Sequence, residues 1–332
     1  MKMTPALVVI GGLLVFAAVV VVSVLVPDLT ITEQPSEIYR DRNALEDQGR
    51  EIYKANGCTY CHSQAVRWFD WDLGAERVAQ AGDYIADRPH LLGSERTGPD
   101  LQQEGGEHPD DWHVAHFANP RRTRPRSLMP PFNFLTRSET TALVAYVQSL
   151  GFRLADIRTA RQGVYKEEAI RAFEAGTDAN VAWLHGHVPE PWLKIPNPYP
   201  GTRPAVLRGE AIYQDFCIGC HGEVGDGMGP AARDLYPPPF NFTVLSARLR
   251  GQTIGGLFYY QIMNGVTGTA MPYFKRELES EKIWDVGQFV AVRFVGMSDA
   301  GRETRGIPAA FETYPDDVPQ TGARTAPPED RP

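Results

Sequence analysis

Cysteine is scarce in this chain. Only four occur in 332 residues, and all four lie in two five-residue stretches, so none is left for a structural disulfide. A basic stripe is also missing. The net charge is −8 with 22% charged residues, which excludes a general nucleic-acid binder. Long apolar runs are absent apart from one near the start, so the chain has no multi-span membrane core of its own. What is present is the grouping of those cysteines: Cys58-Thr59-Tyr60-Cys61-His62 and Cys217-Ile218-Gly219-Cys220-His221.

Each stretch reads C-x-x-C-H, the attachment signature of a c-type haem. Two thiols one helical turn apart can add to the two vinyl groups of one porphyrin. The histidine that follows can then bind the iron from one face. A redox disulfide does not need that histidine, and a zinc site needs two further ligands at paired spacing. Thioether attachment takes place outside the cytoplasm. The motifs stand 159 residues apart (217 − 58), which fits two domains in a chain of this length.

Ala6 to Val26 is an uncharged apolar run of 21 residues, followed by Pro27-Asp28. It is long enough for a membrane helix, which needs roughly 20 residues; the apolar core of a cleaved signal peptide is about 7–15. With Lys2 as the only charged side chain before it, the expected topology is a single-pass anchor in a bacterial inner membrane. Everything after Val26 then lies on the periplasmic side.

Residues 42–57 read as a helix leading into the first motif, with Gly49 permitting close approach by another helix. The expected partner is 137–150, started by a Thr136/Glu139 capping box and ended by Gly151. Its apolar face is Leu143, Val144, Val147 and Leu150. Met129, before Pro130 and 67 residues after His62 (129 − 62), is the candidate second axial ligand. His113 and His116 are the competitors, expected on a partly exposed helix. The pattern resembles class I cytochromes c. That resemblance implies that the Pro99 carbonyl orients His62; Arg96 and Arg126 are candidates to meet haem propionates.

A more specific resemblance follows from residues 57–64 (GCTYCHSQ), 93–101 (GSERTGPDL), Asp111-Trp112-His113, Asn119-Pro120-Arg121 and Ser127-Leu128-Met129-Pro130, in that order. They resemble the membrane-anchored cytochrome c subunit (subunit II) of cbb3-type haem–copper oxidases over about residues 30–151. The resemblance implies a haem–copper catalytic membrane subunit as partner and a soluble periplasmic electron donor such as a cytochrome c. An acidic chain suits a basic donor. Nitric oxide reductases also use an anchored cytochrome c subunit, and that alternative stays open. A dihaem peroxidase needs an open iron position, which two Met-Pro loops oppose.

Residues 152–203 read as a charged, partly helical linker ending in a strap with six prolines between 189 and 204. His185-Gly186-His187 reads as a loop pair with no third metal ligand nearby. From 204 to 298 the first plan returns. Gly209 and Tyr213 repeat Gly49 and Tyr53, and Met271-Pro272 repeats Met129-Pro130, 50 residues after His221 (271 − 221). Met228 lies too soon after His221, and Met263 reads as core. The last helix is expected at about 280–295. Residues 299–332, with six prolines and no apolar period, are expected to be a disordered tail.

The expected fold is therefore mainly α: an anchor over 1–30, a cytochrome c domain over 31–151, the linker, a second cytochrome c domain over 204–298, and the tail. The expected cofactors are two covalent haem c groups on Cys58, Cys61 and His62 with Met129, and on Cys217, Cys220 and His221 with Met271.

Overall fold

The computed structural model describes residues 4–67, 77–93, 96–199, 202–249 and 256–297. The expected tail, together with Trp68, Phe69, Asp70, Trp71, Ser94 and Glu95 between His62 and Met129, lies outside the described residues. The main helices are α1 Pro5–Thr30, α2 Ala44–Ala55, α3 Asp110–Ala118, α4 Arg137–Ser149, α5 Phe152–Glu174, α6 Thr177–Gly186, α7 Arg203–Phe216, α8 Leu257–Asn264 and α9 Ser280–Val290. No strand occurs among the described residues, so the fold is mainly α.

Helix α1 is 26 residues long and apolar, and none of it is buried in the protein. At 1.5 Å per residue it reaches about 39 Å, longer than a hydrocarbon core of about 30 Å. The helix continues past Pro27, where the apolar run ends. A π-helical turn over Val21–Leu25 precedes the proline. Such a wider turn eases the clash of the ring with the carbonyl four residues back.

The described residues form two compact units: those up to 107 together with 137–159, and those of 108–136 together with those from 160 onward. In the first, α2 starts at a capping box. The Asn43 side chain accepts from the Leu45 and Glu46 N–H groups at 2.9 and 3.0 Å, and Glu46 accepts from the Asn43 N–H at 2.9 Å. Such a cap stabilises by about 1 kcal/mol. Gly49 of α2 lies against α4 so closely that a Cβ there would overlap the Ala142 carbonyl. One turn on, the Tyr53 and Tyr146 rings meet edge to face at 5.2 Å. Leu143, Val144, Val147 and Leu150 are all buried. Asp87, fully enclosed, pairs with Arg42 at 2.5 Å and with Arg50 at 3.6 Å.

The second unit repeats the crossing with different residues. A Cβ on Gly209 of α7 would overlap the Asp285 carbonyl of α9, and Tyr213 meets Phe289 at 5.3 Å. Around this crossing Val206, Phe258, Ile262, Ile283, Val286 and Val290 form the core.

Two stretches from elsewhere in the sequence complete this unit. Residues 108–136 pack here: Trp112 joins Ala231 and Leu235, Arg122 pairs with Asp234 at 3.1 Å, and Arg124 pairs with Glu277 at 2.5 Å. Residues 160–199, expected as part of a linker, also pack here. Trp192 lies 5.7 Å from Tyr259, ring to ring, and Val181, Ile195 and Tyr199 meet the core. The prolines of the expected strap allow a helical turn at Glu190–Lys194, because Pro189 caps it and Pro191 occupies its first turn. A missing N–H costs nothing at that position. Likewise His185 is in the last turn of α6, with His187 as its C-cap, rather than in a loop.

Candidate haem sites

The second motif follows α7 directly, and Ile218–His221 forms a single helical turn. Gly222, at φ +78, then reverses the chain, and its carbonyl accepts the Tyr213 hydroxyl at 2.6 Å. This turn places Cys217, Cys220 and His221 on one largely apolar cavity, and Met271 lines the same cavity. The other walls include Phe240, Phe242, Phe258, Ile262 and Val290.

The imidazole of His221 is held from behind. Its Nδ1 lies 3.2 Å from the Phe240 carbonyl, and Phe242 stacks on the ring at 4.5 Å. A carbonyl can only accept, so Nδ1 carries the proton and Nε2 presents a lone pair. Burial lowers the pKa of His221 to about 4, which keeps the ring neutral and able to ligate. Burial also raises the thiol of Cys217 to about 12 and that of Cys220 to about 11. This is the opposite of the depressed pKa that activates a redox C-x-x-C pair.

The first motif is built on the same principle. Gly57, at φ +68, turns the chain after α2, and Cys58–Tyr60 forms a tight turn. The Nδ1 of His62 lies 2.9 Å from the Pro99 carbonyl, so here too Nε2 is the free lone pair. Gly98 seats this ring, since a Cβ there would overlap the imidazole. Burial raises the Cys58 thiol to about 11. The residues after His62 are clamped as well. Asp100 accepts from the Ser63 hydroxyl at 2.6 Å and from the Ala65 N–H at 3.0 Å, and the Gln102 side chain accepts from the Val66 N–H at 2.6 Å.

The two methionines share a local device. The Met129 N–H donates to the Ser127 hydroxyl at 3.2 Å, and the Met271 N–H donates to the Thr269 hydroxyl at 3.1 Å. Each proline that follows removes a competing donor. The signal in the sequence is therefore [Ser/Thr]-x-Met-Pro, more than Met-Pro alone.

Arg96 is engaged by protein groups: it donates to the Ser63 hydroxyl at 2.6 Å and to the Ala65 carbonyl at 2.8 Å. Arg126 pairs with Asp215 at 2.7 Å, on the helix before the second motif. His113 is buried, whereas a partly exposed position was expected; it faces Phe117 at 6.0 Å. His116 stacks on Trp112 at 4.6 Å and bonds Thr123 at 2.6 Å. Met228 is exposed, and Met263 packs against the core.

Two residues escape the sequence reading. Phe240 contributes only its carbonyl, which no side-chain pattern marks. Arg124 lines the second cavity, bonds Glu277 through both terminal nitrogens at 2.7 and 2.5 Å, and lies over Phe216 and Phe274.

The donor set fits a covalent haem c at the second motif. Two thiols, a neutral imidazole with Nε2 free and a thioether share one apolar cavity, the His/Met set of a c-type centre.

Comparison with known proteins agrees. Residues 1–142 match the family described as cytochrome c oxidase, mono-haem subunit/FixO, and residues 204–290 match cytochrome c oxidase, cbb3-type, subunit III. A thiosulfate dehydrogenase of Allochromatium vinosum is 31% identical over 120 residues, which cover 34% of this chain and 42% of that protein. A chain of the reducing HAO-like protein complex of Kuenenia stuttgartiensis aligns over 78% of this chain and 97% of its own length. Its identity is 20% and its TM-score 0.26. Both family matches support an electron-transfer role of the cytochrome c kind. Over residues 1–142 the chain is thus similar to the FixO mono-haem subunit of cytochrome c oxidase, and behind that segment, over residues 204–290, it carries a second cytochrome c domain similar to cbb3-type subunit III.

Proposed function

We propose that this chain is a dihaem electron-transfer subunit of a cbb3-type haem–copper terminal oxidase, passing electrons from a soluble periplasmic donor to the catalytic subunit. Cys58 and Cys61 would hold one haem by thioethers, and Cys217 and Cys220 would hold the other. His62 and His221 would bind the irons through Nε2, and Met129 and Met271 would each supply a thioether. Each group, when bound, supplies a one-electron iron couple, and Met ligation raises its potential. With a histidine and a methionine each, the irons would pass electrons rather than bind oxygen, nitric oxide or peroxide. The chain carries electrons and does not itself reduce substrate.

The observation that carries this reading is the convergence of Cys217, Cys220, His221 and Met271 on one apolar cavity, in a chain whose first part matches an oxidase subunit. Entry is assigned to the second site and exit to the first. Cys58 follows the end of the membrane helix by 28 residues (58 − 30), so along the chain the first motif is the nearer of the two to the membrane. The net charge of −8 favours a basic donor, whose encounter slows as salt rises.

The test is stopped-flow reduction of the purified complex by its donor, comparing wild type with a Cys217→Ala/Cys220→Ala chain. Reduction of the first haem should slow at least several-fold in the variant. An unchanged rate removes the second site from the entry path. The same complex should consume oxygen; a complex that turns over nitric oxide and not oxygen would assign the chain to a reductase instead.

A further inference from the structure

Helix α6 lies outside both matched segments, 1–142 and 204–290. It nevertheless forms one wall of the second cavity through Asn180, Val181, Trp183, Leu184 and His185. The helix is fixed there. Gln261 of α8 donates to the Leu184 carbonyl at 3.3 Å, and Val181 packs on the core. Trp183 is held in turn by His187, whose Nδ1 lies 2.7 Å from the Trp183 carbonyl and whose ring is 4.3 Å from the indole.

The indole Nε1–H of Trp183 is buried and has no acceptor among the described residues. A buried donor left unpaired costs about 1–3 kcal/mol, and buried tryptophans ordinarily find a partner. A haem c brings what this wall lacks, since it carries two carboxylates on the edge away from its thioether carbons. Arg124, the cation among the cavity residues, has both terminal nitrogens on Glu277. It also lies over the ring of Phe216, the residue before Cys217, at 5.4 Å, which sets it beside the cysteine end of the cavity. The carboxylates need a donor from another wall.

We propose that the Trp183 Nε1–H donates to a carboxylate of the second haem, which makes α6 part of the haem-binding fold. The inference rests on the reading of Cys217, Cys220 and His221 as a haem site. A donor that favours the ionised carboxylate lowers its pKa, so Trp183 sets the pH at which that carboxylate takes up a proton.

The experiment is a pH series of midpoint potentials on the full chain, wild type against Trp183→Phe, which keeps the ring packing and removes the donor. The acid-side rise in the potential of the second haem should begin at a higher pH in the variant, by on the order of one unit, a ten-fold change in proton affinity. The first haem should not change. Coincident profiles for the second haem overturn the proposal. A measurement on the wild-type ferrous protein needs no variant. Its Trp183 Nε1–H should show nuclear Overhauser contacts to the methylene protons of a haem carboxylate arm, and their absence in the loaded protein overturns the proposal. A chain with no haem on Cys217 and Cys220 defeats the haem reading itself, while a loaded chain with neither the shift nor the contact defeats this inference alone.

Discussion

The Nδ1 of His221 lies 3.2 Å from the main-chain carbonyl of Phe240. That contact fixes the tautomer, orients the ring and leaves Nε2 as the ligand atom. His62 achieves the same against the Pro99 carbonyl at 2.9 Å. The acceptor lies 37 residues after His62 (99 − 62) and 19 residues after His221 (240 − 221), so different loops serve one chemical end.

Met271→His should lower the potential of the second haem by on the order of tenths of a volt, because the thioether that favours ferrous iron is lost. Met129→His should do the same to the first haem. Met228→His should change neither, since Met228 is exposed. Potentiometric titration of the two haems checks all three.

Gly209→Val should destabilise the second unit by at least about 1–3 kcal/mol, the usual cost of overpacking. The added Cβ meets the Asp285 carbonyl, which is backbone and cannot swing aside. Gly49→Val should act in the same way on the first unit through Ala142. Denaturant unfolding, followed separately by the two haem signals, reads the effects.

Asp87→Ala should cost the first unit about 3–5 kcal/mol, since it leaves the enclosed guanidinium of Arg42 without its carboxylate and leaves Arg50 only Glu51 and the Pro89 carbonyl. A shift of the urea midpoint confined to the first unit is the expected result. A change below about 1 kcal/mol would mean the arginines find other acceptors.

Burial lowers the pKa of His185. The unfolded chain then takes up a proton near its ordinary pKa of about 6.5, whereas the folded chain resists until lower pH. The stability of the second unit should therefore fall as pH drops below about 6.5. His185→Gln should flatten that slope, measured as the urea midpoint between pH 7 and pH 5 on the haem-loaded chain.

Much of this was legible in the sequence because the chemistry demands particular side chains. The two C-x-x-C-H stretches and the Gly49/Tyr53 and Gly209/Tyr213 pairs are defined by residue type and spacing. The buried face of α4 follows from helical periodicity. Other features were not legible for physical reasons. The Phe240 carbonyl belongs to the backbone, which every residue carries. The packing of Trp112, Arg124 and Trp192 in the second unit depends on contacts far apart in sequence. The prolines between 189 and 204 suggested extended chain, yet Pro189 and Pro191 sit where a helical turn begins and a proline does no harm.

The most direct test of the account is mass spectrometry of peptides from the purified chain, combined with its iron content. The account predicts two irons per chain, with one haem mass on the peptide holding Cys58 and Cys61 and another on the peptide holding Cys217 and Cys220. A chain with unmodified thiols at either pair, or with a single iron, contradicts it.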